Sequence, residues 1–137
     1  MVFEAMRGLD TNVLVRYQTE DDPKQLRVAE RFLADCREKE EPLFLPALVV
    51  CELVWVLSRP YGFSKNSIVN TLERILDAAQ FRIEHDVLVR HSLESFRHGP
   101  ADFSDYLIGE ISRQAGCRDT VSFDQALKGA PGFTVLS

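Results

Sequence analysis

The chain has 137 residues, 45% of them apolar and 9% aromatic, with 16 Lys plus Arg against 21 Asp plus Glu. That is the profile of one globular domain able to bury about 68% of its unfolded surface without zinc or disulfide staples. A net charge of −5 excludes a protein whose main affinity for nucleic acid comes from a basic stripe, but not a nuclease that meets phosphate through a bound cation.

The first predicted element is a short strand over residues 6–9 that ends at Asp10, followed by a brief helix over 13–17. A stronger helix is expected over 23–39, with Asp22 as N-cap, Pro23 at the first helical position and Gln25 completing a capping box. Leu26, Ala29, Phe32, Leu33 and Cys36 recur at helical spacing and give its inward stripe. A second strand is read at 43–45. Residues 47–58 are apolar nearly all round and stopped by Pro60 and Gly62, which predicts a central, buried helix.

Ser64 caps the next predicted helix, to about 79, with Ile68, Leu72, Ile75 and Leu76 inward. A third strand follows at 81–83, a helix at 86–97 ended by Gly99 and Pro100, and a helix from 102 to 114 closing at Gly116. A fourth strand at 120–123, a helical turn after Asp124 and a fifth strand at 133–136 complete the chain. Strands separated by helices imply a parallel sheet covered on both faces, so the expected fold is a single three-layer α/β/α domain spanning residues 1–137.

Cys36, Cys51 and Cys117 are odd in number and lack CxxC spacing, so buried free thiols in a reducing compartment are expected. The longest apolar stretch, residues 43–57, contains Pro46 and Glu52 and falls short of the ~20 residues needed to cross a bilayer. No export signal is visible at the start of the chain, which makes the cytoplasm the expected location and a membrane partner unexpected.

Four carboxylates stand out. Asp10 follows the first strand and Asp124 follows the fourth, at the edge where open α/β sheets bind ligands; each also suits an ordinary helix N-cap. Glu52 interrupts Val49-Val50-Cys51 and Leu53-Val54-Trp55, where an unpartnered buried carboxylate would cost several kcal/mol and must be paired, protonated or bound to a cation. Asp102 and Asp105 stand three apart at a helix start, so Asp102 is expected to cap and Asp105 to face the cleft. Two such charges ~5 Å apart repel by roughly 3 kcal/mol at an effective dielectric near 20. All-oxygen ligation without His or Cys points to Mg²⁺ or Mn²⁺ and to metal-assisted phosphoryl chemistry. His85, His91 and His98 fit no metal-ligand or triad spacing.

At these residues the chain resembles the PIN-domain ribonucleases, specifically VapC-type toxins of bacterial toxin–antitoxin pairs. The resemblance rests on Leu9-Asp10-Thr11-Asn12-Val13-Leu14, on Val50-Cys51-Glu52-Leu53, on Asp102-Phe103-Ser104-Asp105-Tyr106-Leu107-Ile108 and on Thr120-Val121-Ser122-Phe123-Asp124. It implies a five-stranded parallel sheet, an acidic quartet of Asp10, Glu52, Asp105 and Asp124 holding Mg²⁺ or Mn²⁺, and supporting polar positions at Asn12 and Ser122, the latter standing where threonine is commoner. It further implies endonucleolytic hydrolysis of RNA, dimerisation, and neutralisation by a small VapB-like antitoxin in a hetero-oligomer. Family members commonly begin at the position of Met6, which makes residues 1–5 an expected extension.

Two other readings fit parts of the sequence. In a nonenzymatic module the acidic cleft would only dock a basic partner peptide, and loss of metal-dependent cleavage with retained partner binding would select it. A phosphatase of the haloacid dehalogenase type uses an Asp after strand one but needs a second Asp where Asn12 stands.

Overall fold

The computed structural model describes residues 5–137; Met1 to Glu4, and with them most of the expected extension, lie outside the described residues. The chain divides into two compact units, residues 1–86 and 87–137.

The N-terminal unit carries β1 (Arg7–Gly8), α1 (Thr11–Gln18), α2 (Pro23–Glu38), β2 (Leu43–Leu45), α3 (Ala47–Ser58), α4 (Lys65–Asp77) and β3 (Phe81–Ile83). Its strands form a parallel sheet in the order β1-β2-β3, with Gly8 opposite Phe44 and Leu45 opposite Ile83. The caps follow the sequence. The Asp22 carboxylate accepts the Gln25 N–H at 3.0 Å and the Ser64 hydroxyl accepts the Ser67 N–H at 3.2 Å. Gln25 does not close the expected capping box, because its Oε1 accepts from the Arg16 guanidinium at 2.6 Å instead. Leu33, Leu43, Leu45, Leu53, Leu57 and Leu72 form the fully buried centre.

The expectation for α3 is corrected. Val49, Val50, Leu53, Val54 and Leu57 are buried, and the helix packs on α1 and α4. Leu48 and Trp55, however, remain 69% and 60% exposed, and Glu52 lies on the same open face. A helix apolar on all sides still buries only the sides its neighbours reach, so composition overstated its burial.

The C-terminal unit carries α5 (Asp86–His98, of which Asp86 belongs to the first unit), α6 (Phe103–Gln114), β4 (Thr120–Ser122), a 3-10 turn (Gln125–Leu127) and β5 (Phe133–Val135). β4 and β5 are parallel, with Thr120 opposite Phe133. Phe103 is completely buried and meets Phe96 edge-on, with ring centroids 6.2 Å apart.

Pairing is parallel within each sheet, but among the described residues the strands form sheets of three and two where one sheet of five was expected. β1 is only two residues long, both exposed and one a glycine, so it offers a short and weak ladder. The buried-thiol expectation holds for Cys36; Cys51 is half-buried and Cys117 is exposed, just past the turn in which Gly116 takes φ +97°. Among the described residues no helix is long and apolar enough to cross a membrane.

Candidate active site

In the N-terminal unit the carboxyl edge of the three-stranded sheet gathers the ends of three strands. Asp10 follows β1 and caps α1: one carboxylate oxygen accepts the Thr11 N–H at 2.7 Å. Beside it, the Thr11 hydroxyl is buried and has no hydrogen-bond partner among the described residues. α3 starts directly after β2 at Pro46, which offers no side-chain cap. That deficit is met by Glu84, just past β3, whose Oε1 accepts the Ala47 N–H at 2.9 Å. Sequence reasoning missed Glu84, although an acid directly after a strand was the signal used for Asp10.

Glu52 sits one turn and a half into α3, and its exposure removes the desolvation cost that made it conspicuous in the sequence. Its charge still acts locally. Burial pushes the Cys51 thiol above its ordinary range, and the neighbouring Glu52 carboxylate adds to the rise. Asn12 is exposed on the first turn of α1.

In the C-terminal unit Asp124 follows β4 and is held by its own turn. The Ser122 hydroxyl accepts the Asp124 N–H at 3.0 Å, and Asp124 Oδ1 accepts the Ala126 N–H at 2.9 Å. At the start of α6 the expected division of labour is corrected: Asp105 is not spared from capping, since its Oδ2 accepts the Asp102 N–H at 3.3 Å. Burial pushes the Asp105 carboxyl above its ordinary range; the Asp102 N–H pulls the other way, and the charges of Asp102 and Asp124 add to the rise. Asp105 and Asp124 are therefore electrically coupled within one unit.

A common geometry links Asp10, Asp105 and Asp124. Each commits one oxygen to a backbone N–H, which fixes the carboxylate, and the second oxygen has no hydrogen bond among the described residues. Hard oxygen donors of this kind suit Mg²⁺ or Mn²⁺ rather than zinc or copper, and the orphaned Thr11 hydroxyl leaves a further oxygen beside Asp10. The donor chemistry therefore fits a hard divalent cation. Among the described residues no group of three His, Cys, Asp or Glu side chains that could hold a metal ion is present. Asp10 and Glu52 belong to the first unit, Asp105 and Asp124 to the second.

Residues 9–132 match the PIN domain family profile. The chain belongs to the PIN-domain family. That span includes all four candidate acids as well as Asn12 and Ser122, and the PIN fold accounts for the alternation of helices with exclusively parallel strands. A VapC ribonuclease of Aquifex aeolicus (strain VF5) is 28% identical over 123 residues, covering 90% of each chain. The crystal structure of VapC20 from Mycobacterium tuberculosis, a sarcin–ricin loop cleaving toxin, is 19% identical with a TM-score of 0.42, covering 93% of this PIN chain and 95% of that one.

The raised carboxyl of Asp105 gives a first expected result. A group with a folded pKa above its unfolded one contributes stability that is present below the unfolded value, about 3.9 for Asp, and lost as pH rises through the folded value. At neutral pH the ionised Asp105 is thus a cost, and Asp105→Asn should melt at or above the wild-type temperature, with the advantage fading toward the ordinary Asp pKa. Thermal melts across that range check this; a lower melting temperature for Asp105→Asn at neutral pH would show that the cap to Asp102 outweighs the charge.

Proposed function

We propose that this PIN-domain protein is a metal-dependent endoribonuclease and the toxin of a toxin–antitoxin pair, acting as a single domain in the cytoplasm. The observation that carries the reading is the PIN match over residues 9–132, which takes in every candidate acid, extended by the VapC ribonuclease relative along 90% of both chains. Its substrate would be RNA, its restraint a small VapB-like antitoxin, and its assembly a homodimer that joins the antitoxin in a hetero-oligomer.

Asp10, Asp105, Asp124 and Glu52 would hold a Mg²⁺ or Mn²⁺ ion, which when bound offsets charge on the phosphate and lowers the pKa of bound water. The chain's own residues supply positioning. Asp10 and Asp124 are fixed by their caps, and Ser122 holds the Asp124 backbone in place. Glu52, exposed and unburdened by a cap, suits either a metal ligand or the base that orients and deprotonates the attacking water.

Thermal melting tests the metal dependence without needing the substrate. A ligand that binds only the folded state stabilises by mass action, about 2.7 kcal/mol at a hundredfold excess over Kd. Millimolar Mg²⁺ or Mn²⁺ should therefore raise the melting temperature of the wild type, and the rise should shrink in Asp124→Asn. Melts of both proteins that ignore the two ions would count against the reading and leave Asp124 as a structural cap.

A further inference from the structure

The C-terminal unit contains a cavity of about 390 Å³, within the size range of small-ligand sites. It runs from the first residues of the two-stranded sheet to Ala126, whose N–H donates to Asp124. Thr120 and Phe133, the first residues of β4 and β5, line it, whereas Asp124 lies beyond the carboxyl end of β4. One wall exists because α6 has a glycine there: a Cβ at Gly109 would stand 2.5 Å from the Phe133 ring, so only glycine lets that ring lie against the helix.

The lining brings three cations, Arg113, Arg118 and Lys128, together with two carboxylates, Glu110 and Asp119. Both carboxylates are already engaged. Glu110 pairs with Arg113, and Asp119 accepts from the Thr134 hydroxyl. Arg118 and Lys128 are exposed and form no ion pair among the described residues. Two unspent cations meeting at one cavity are unusual in a chain of net charge −5.

We propose that this cavity is a subsite for the RNA strand, binding phosphodiesters away from the scissile bond through Arg118 and Lys128. The inference rests on the ribonuclease reading above for the identity of the strand. Two separate cations suit successive singly charged diesters of a strand better than the one multiply charged group of a free nucleotide, and the Phe133 ring provides an apolar surface for the sugar and base.

The test is binding of a fluorescein-labelled single-stranded RNA of about 12 nucleotides in EDTA, followed by anisotropy between about 50 and 200 mM salt. Each phosphate contact on a single strand contributes about 0.7 to the slope of log affinity against log salt. Arg118→Gln/Lys128→Gln should therefore flatten the slope by about 1.4, while Lys24→Gln/Arg27→Gln, which removes the same charge from α2, should leave it unchanged. An unchanged slope in the cavity variant, or an equal fall in both variants, would overturn the subsite. So would displacement of the RNA by an equal concentration of adenosine monophosphate, which would assign the cavity to a free nucleotide. The two proposals fail separately: RNA bound with the expected slope but never cut would sink the nuclease reading and leave the subsite standing.

Discussion

Asp10→Asn, Asp105→Asn and Asp124→Asn should each lower the rate of RNA cleavage by about 10²–10³-fold, the usual cost of removing one electrostatic stabiliser from a reacting centre. Asparagine keeps the caps, because its side-chain oxygen can still accept the Thr11, Asp102 and Ala126 N–H groups that these carboxylates now receive. What it removes is the negative charge on the second oxygen. The loss should therefore come without loss of fold. Ser122→Ala should cost less, about 10–100-fold, since it frees the Asp124 backbone without touching the carboxylate. Ser122→Thr keeps the hydroxyl and should stay near wild type. Steady-state cleavage of a labelled oligonucleotide, with melts to verify folding, checks the series. Full activity in any of the three folded Asp variants would remove that residue from the site.

The largest effect on stability is expected at Phe103. Its side chain is completely buried and edge-on to Phe96, so Phe103→Ala should cost about 3–5 kcal/mol through lost burial and the cavity left behind. For a domain of this size that is a fall in melting temperature of about 10–20 °C. Phe103 is also the first residue of α6 and stands between Asp102 and Asp105, so the ring that fills the core anchors the turn carrying Asp105. Phe103→Leu, which retains most of the volume, should recover much of the loss. Calorimetry showing a small change in Phe103→Ala would mean that this turn is held by its caps alone.

The elements most legible in the sequence were those whose signals are local. Pro23 after Asp22, Ser64 before an amphipathic run and Gly99-Pro100 after another fixed the helix boundaries, and 43–45 and 81–83 appear as strands where they were expected. Less legible was anything set by a distant neighbour. Glu52 drew notice because its flanks are apolar, yet which face of α3 is covered depends on α1 and α4 and not on its own residues. Glu84 escaped notice because its role, capping a helix that starts after a different strand, joins residues 37 positions apart. At the start of α6 the sequence assigned the cap to Asp102 alone, and only the hydrogen bond from the Asp102 N–H shows Asp105 taking part. Nothing local to Gly109 signals the Phe133 ring, 24 positions on, that would meet a Cβ there at 2.5 Å.

The most direct test of the central claim is incubation of the purified, antitoxin-free protein with total cellular RNA and Mg²⁺ or Mn²⁺, mapping new ends beside matched EDTA and Asp10→Asn reactions. Discrete new ends that appear only with wild-type protein and divalent metal are the predicted result; cleavage that persists in excess EDTA, or that Asp10→Asn performs equally well, would contradict it.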